Sequence, residues 1–173
     1  MEILVQLSRE ELNDAKQAAS MRWQMARMSG VTNQRRDDTR DDHEVDLLGI
    51  KAEMAVAKAY NLRFNPFSFG IDDGSDMFSG DLGIDVKASF HRDGKLIFKR
   101  QDAFRADISV FVTGDTNSGT LRIAGWITKE RFLDISDVMD MGGGKQAVFV
   151  PQKKLASPES LWAFLTNRRW SHA

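Results

Sequence analysis

Asp76, Asp85 and Lys87 are the residues whose types and spacing could do chemistry. They lie in the run Ser75-Asp76-Met77-Phe78-Ser79-Gly80-Asp81-Leu82-Gly83-Ile84-Asp85-Val86-Lys87. In extended chain, alternate side chains share a face, so Asp85 and Lys87 point one way and Ile84 and Val86 the other. Gly80-Asp81 reads as a turn, and a hairpin about it folds Asp76 back toward Asp85. Two carboxylates and an ammonium then converge. Carboxylates are hard oxygen ligands that hold Mg²⁺ through one or two direct bonds. A bound divalent cation polarises a phosphate and acidifies a water. A neighbouring lysine orients that water or offsets charge growing on the phosphate. The set therefore suits hydrolysis of a phosphodiester by water, without a covalent intermediate. An Asp-x-Lys pair alone is more often an ordinary solvated strand face; the facing aspartate and one further acid add the weight.

That further acid is Glu53. A helix is expected over about 43–60, rich in Leu, Ile, Met, Val and Ala. At roughly 100° per residue, Lys51 and Lys58 mark one side, and Glu53 falls about 150° away, near Gly49, Val56 and Ala57. A carboxylate there turns toward protein rather than water, and buried acids are rare unless paired or metal-bound. Asp81 is an alternative first carboxylate to Asp76, although its place in the turn suits a turn residue.

The remaining elements place these groups. Ser8 with Glu11 forms a capping box for a helix over 8–29 ended by Gly30. Charge of both signs crowds 32–44, which reads as an exposed loop. Strands are expected over 76–79, 82–90, 95–100, 108–113, 120–127 and 147–150. Thr128 caps a short helix through Leu133, Gly142-Gly143-Gly144 is a flexible link, and Ser157-Pro158 opens a C-terminal helix over 157–168. Helices before and after a mostly antiparallel run of strands imply a single mixed α/β (α+β) domain over 1–173. Its central sheet is mixed and largely antiparallel, with about five strands flanked by helices.

Composition bounds the rest. With 42% apolar and 28% charged residues, the chain is an ordinary globular one. No cysteine is present, so disulfides, thiolate zinc sites and a thiol nucleophile are excluded. The start, MEILVQLSREEL, turns charged early and does not read as a signal peptide, and no run approaches the roughly 18 apolar residues of a membrane span. A soluble cytoplasmic protein is expected. The net charge of −1 does not suit a protein that coats nucleic acid, but local basic patches matter more than the total. Arg35, Arg36 and Arg40, a path of Lys95, Lys99, Arg100 and Arg105, and Trp170 beside Arg168 and Arg169 are candidate DNA contacts, each also readable as ordinary surface charge or helix-end packing. Gly142–Lys145 is not a phosphate loop, since Gln146 follows the lysine. His43, His91 and His172 have no metal-site spacing.

Gly49–Lys58 is similar to the first motif of PD-(D/E)XK nucleases, in which a helical glutamate joins the metal site. Asp76, followed after a glycine turn by Asp85-Val86-Lys87, resembles the signature motif, with Ser75 standing where many members have proline. Ala106–Val112 and Ile123–Ile127 resemble later core strands of small phage-encoded members. The likeness covers roughly 43–151 and implies a restriction-endonuclease-like fold. It implies that Asp76 and Asp85 coordinate Mg²⁺ or Mn²⁺, that the Val86 carbonyl adds a ligand, that Glu53 supports the metal and that Lys87 positions the water. Gln101 matches, without a clean motif, the downstream glutamine of some members. The implied activity is metal-dependent cleavage of DNA, endonucleolytic before exonucleolytic; a homodimer would suit cutting of both strands. The alternative is a nucleic-acid-binding or regulatory protein that keeps the fold and does not cut.

Overall fold

The computed structural model describes residues 2–30, 41–69 and 73–171, with side chains as far as 168. Within them lie strand β1 (Ile3–Gln6), helix α1 (Arg9–Met28), helix α2 (Asp42–Ala59), strands β2 (Met77–Ser79), β3 (Leu82–Ser89), β4 (Lys95–Phe98), β5 (Ile108–Thr113) and β6 (Thr120–Thr128), helix α3 (Lys129–Ile135), strands β7 (Asp137–Asp140) and β8 (Gln146–Pro151), and helix α4 (Pro158–Ser171). The mixed α/β class expected from the sequence is the one observed. None of the described helices is long and apolar enough to cross a membrane.

The main sheet has five strands in the order β1-β6-β5-β3-β2. β3 and β5 run parallel, with Asp85 beside Ser109; the other neighbours are antiparallel. The hairpin pairs Ser79 with Leu82 across Gly80-Asp81. Gly80 adopts φ +63 and Asp81 does not share that sign, the pattern of a two-residue turn with glycine first.

Two strand expectations need correction. β4 leaves the main sheet and joins β8 and β7 in a separate three-stranded sheet. β1, absent from the sequence reading, supplies the fifth main strand by pairing with β6. A four-residue edge strand carries little periodicity, and its partner lies far along the chain, so local pattern could not reveal it. β7, also unexpected, is joined to β8 by the Gly142–Gly144 turn, whose glycines all have positive φ.

Each face of the main sheet has its own core. Ile84 and Val86 of β3, with Val110 and Val112 of β5, pack under Leu48, Ala52 and Val56 of α2. On the other side, Phe111 and Ile127 meet Phe98, Phe104 and Phe132, whose rings stack or meet edge-on with centroids 4.6–5.3 Å apart. β3 is consequently covered on both faces, and its polar residues are not simply solvated. Helix α1 lies along α2 through Ala15, Ala18 and Ala19, small residues that permit close approach. Ser8 caps α1 with the expected box to Glu11. The α1–α2 pairing brings Arg22 to Glu53.

The helical-wheel reading of α2 was right for Glu53 and wrong for Lys51. Lys51 is buried, and its ammonium donates to the Asp115 and Ser118 carbonyls at 2.7 and 2.5 Å. A lysine satisfied by loop carbonyls can occupy an interior position that a hydropathy pattern assigns to water.

Candidate active site

Asp76 sits where β2 gives out. Its backbone N–H donates to Ile84 O at 2.8 Å, and its carboxylate Oδ2 accepts from Val86 N at 2.6 Å. The side chain thus replaces the backbone acceptor that a longer β2 would have offered to β3. Backbone N–H and C=O of one strand residue project to the same edge, so the Val86 carbonyl opens on this side too.

Asp85 is held from two directions. Its Oδ1 is ion-paired with Lys87 Nζ, and its Oδ2 accepts from the fully buried Ser109 hydroxyl at 2.6 Å. Lys87 also lies over the Phe98 ring, 4.8 Å from its centroid, which adds a cation–π contact to its pairing with Asp85. Gly83, two residues before Asp85, lets the Ser75 hydroxyl pack against the strand, and a Cβ there would require Ser75 Oγ to turn away.

Glu53 is 5% exposed. Arg22 of α1 grips it with two hydrogen bonds, Nη2 to Oε2 at 3.0 Å and Nη1 to Oε1 at 3.3 Å. Burial raises the Glu53 carboxyl above its ordinary range; Arg22 and Lys87 oppose this and Asp85 adds to it. Asp76 keeps an exposed face toward solvent, yet the protein packed around its carboxyl desolvates it and pushes it up to about 7, helped by the charges of Glu53 and Asp85 and opposed by the Val86 N–H and Lys87. The four groups inferred from sequence therefore act on one another, joined by Arg22. Of the three carboxylates, Glu53 is paired with Arg22 and Asp85 with Lys87, while Asp76 accepts from the Val86 N–H.

The structure separates the other candidates. Asp81 is exposed in the hairpin turn, whereas Asp76 is the carboxylate beside Glu53 and Asp85. Gln101 begins an exposed 3-10 turn after β4. His43 shares a hydrogen bond with Ser20 at 3.0 Å, and His91 is exposed. Lys95 stacks on Phe149 and Arg100 pairs with Asp102. Arg35, Arg36, Arg40, His172 and the side chains of Arg169 and Trp170 lie outside the described residues. Arg22 and Ser109 escaped the sequence reading. The only signals were a serine within the apolar run Ile108–Thr113 and an arginine amid the helix's methionines.

The donor chemistry fits a hard divalent cation: carboxylates with excess charge beside a strand-edge carbonyl. Their present spacing is looser. Among the described residues, no group of three Asp, Glu, His or Cys side chains stands close enough to hold an ion. The carboxylates are bonded to Arg22, Lys87, Ser109 and the Val86 N–H, so an ion competes with these donors.

Asp76 carries a stability consequence. Its pKa is near 7 folded and ordinary unfolded, so the folded state binds the extra proton between those values, and stability falls as pH rises through that window. A wholly enclosed shift of this size costs about 4 kcal/mol, but Asp76 opens onto a cleft and water screens part of it, leaving about 1–2 kcal/mol. Asp76→Asn keeps an acceptor for Val86 and removes the charge. In metal-free urea unfolding, the variant should match wild type at pH 4 and exceed it by about 1–2 kcal/mol at pH 8. Equal stability at both values would mean that Asp76 is not strained by its neighbours.

Comparison of the chain with family models, with curated proteins and with solved structures gives no match.

Proposed function

We propose that this protein is a metal-dependent nuclease of the PD-(D/E)XK type that hydrolyses phosphodiester bonds of DNA. The supporting observation is the geometry around β3: Asp76 Oδ2 accepts from Val86 N, Asp85 is ion-paired with Lys87, and the buried Glu53 carboxylate lies near enough for its charge to act on Asp76 and to feel Asp85 and Lys87. Clustered carboxylates with a lysine on the same strand face, beside a cleft, are the pattern that suits a hard cation and a phosphate.

Asp76 and Asp85, with the Val86 carbonyl, would hold Mg²⁺, or Mn²⁺ in its place, and Glu53 would support it. When bound, the ion supplies Lewis-acid polarisation of the phosphate and an acidified water. The chain's own groups do the rest. Ser109 fixes the Asp85 carboxylate in one orientation, as supporting partners of metal ligands commonly do. Arg22 fixes Glu53. Lys87 Nζ, on the same face of β3 as Asp85, orients the attacking water and balances negative charge that accumulates on the phosphate in the transition state. As the water oxygen bonds to phosphorus the bond to the leaving oxygen breaks; the water's proton passes to solvent, the leaving oxygen takes one up from solvent, and no side chain is acylated or phosphorylated.

The test uses supercoiled plasmid, linear duplex and single-stranded DNA, each with Mg²⁺, Mn²⁺ or EDTA. Nicking of plasmid that requires metal is the expected result and would make the enzyme an endonuclease. If every form stays intact in both metals, the chain is a nucleic-acid-binding or regulatory protein on the same fold.

A further inference from the structure

Beside the acid cluster lies a cleft of about 1090 Å³. Its lining includes Arg22, Glu53 and Asp76 at one end, and Arg63, Phe64 and Phe78 along its walls. The aromatic content follows from two segments that the catalytic reading does not use. The connector after α2, Asn61–Phe69, carries three phenylalanines, Phe64, Phe67 and Phe69, among polar residues. Phe64 within it packs on the α2 core, and so is fixed in place. β2 is an edge strand, and its Phe78 is 48% exposed while its neighbour Met77 is buried. A large apolar ring left open on an edge strand is a liability unless something covers it.

We propose that this cleft binds unpaired nucleotides, and that the substrate reaches the acid cluster as a single strand, with a base stacked on Phe78. Three observations favour this occupant. The volume suits a ligand of one or a few nucleotides, close to the ~300–1,000 Å³ of small-molecule pockets. An exposed aromatic ring, Phe78, shares the cleft with an exposed arginine, Arg63, the combination that holds single strands, a ring for a base face and a cation for a phosphate. Phe78 lies two residues from Asp76, so a base on the ring delivers its adjoining phosphate toward the carboxylates. A duplex offers no free base face to the ring.

The reading of the bound strand as substrate rests on the nuclease proposal, but its binding can be measured without cleavage. Affinities for a fluorescent oligo(dT) and for a blunt hairpin duplex would be measured in EDTA for wild type, Phe78→Ala and Phe78→Trp. Oligo(dT) should bind more tightly than the duplex. Phe78→Ala should weaken oligo(dT) binding about 10-fold, within the range of one lost base stack, and leave the duplex unchanged. Phe78→Trp should restore the affinity, and its added fluorescence should be quenched by oligo(dT), a signal that a merely structural role would not give. Arg63→Gln should lower the salt dependence of oligo(dT) binding by about 0.7 in log–log slope, the loss of one phosphate contact. Duplex binding equal to or tighter than oligo(dT), or unchanged oligo(dT) affinity in Phe78→Ala, would overturn the assignment. Cleavage in Mg²⁺, run in parallel, separates the two readings. Metal-dependent cutting of duplex that ignores Phe78 keeps the nuclease and sinks the cleft. Phe78-dependent binding of oligo(dT) without cutting keeps the cleft as a single-strand site and sinks the nuclease.

Discussion

Lys87→Ala is expected to slow metal-dependent DNA cleavage about 10²–10³-fold, a loss of roughly 3–4 kcal/mol of transition-state stabilisation. The lysine is placed for this by β3 alone: it stands two residues from Asp85, on the same face, and is ion-paired to its Oδ1. In the ground state it neutralises Asp85, so it competes with a cation for that carboxylate. Its removal should therefore leave Mg²⁺ affinity unchanged or raise it, even as the rate collapses. That split distinguishes a group acting on the reacting phosphate from one that merely assembles the metal site. Folding should survive, because the side chain is partly exposed and its pairing is worth about 1 kcal/mol or less. Metal titration followed by calorimetry, beside single-turnover cleavage, makes the comparison. A variant that cuts at the wild-type rate removes Lys87 from the chemistry; one that loses metal affinity in step with rate reassigns it to the metal site.

The second large effect concerns stability. Arg22→Leu should cost about 3 kcal/mol at pH 8, because it strands the Glu53 carboxylate in a buried position without its guanidinium. The loss depends on pH with a definite sign. Burial already raises the Glu53 carboxyl above its ordinary range, and removing Arg22 takes away the largest opposing influence. The folded variant then holds a proton on Glu53 that the unfolded chain releases at ordinary carboxylate pH. Stability consequently falls as pH rises above about 4, and the deficit should be small at pH 4 and full at pH 8. Arg22→Leu with Glu53→Leu should recover most of it, since replacing a buried ion pair by apolar side chains is often neutral or better. Urea unfolding of wild type and the two variants at both pH values reads all of this out. A deficit below about 0.5 kcal/mol at pH 8 for Arg22→Leu would show that the pair does not hold Glu53 in place.

The two variants probe opposite kinds of placement. Lys87 and Asp85 are brought together by the pleat of one strand, and Asp76 joins them through a two-residue glycine turn. Arg22 reaches Glu53 only because two helices pack side by side through small residues, with 31 positions between the partners. Ser109 reaches Asp85 only because β5 aligns parallel to β3 in one particular register.

What the sequence determined by itself was whatever is decided within a few residues. The Ser8–Glu11 capping box, the Gly80-Asp81 turn, the alternation through Asp85 and Lys87, and the burial of Glu53 on an apolar helix all follow from local backbone geometry and side-chain period. The mixed α/β class follows from the order of such elements. What only the tertiary structure decided was everything that depends on distant partners. β1 exists as a strand because β6 accepts it, and Ile3 pairs with Ile123. β4 and β8 leave the main sheet for one of their own because Phe98, Phe104 and Phe132 form a second core beneath them. Lys51 is interior because loop carbonyls more than sixty residues away satisfy its ammonium. Asp76 is raised because the folded protein desolvates it and brings the charges of Glu53 and Asp85 near it. Hydrogen-bond satisfaction and electrostatic coupling act through space rather than along the chain, so a pattern of neighbouring residues carries no record of them.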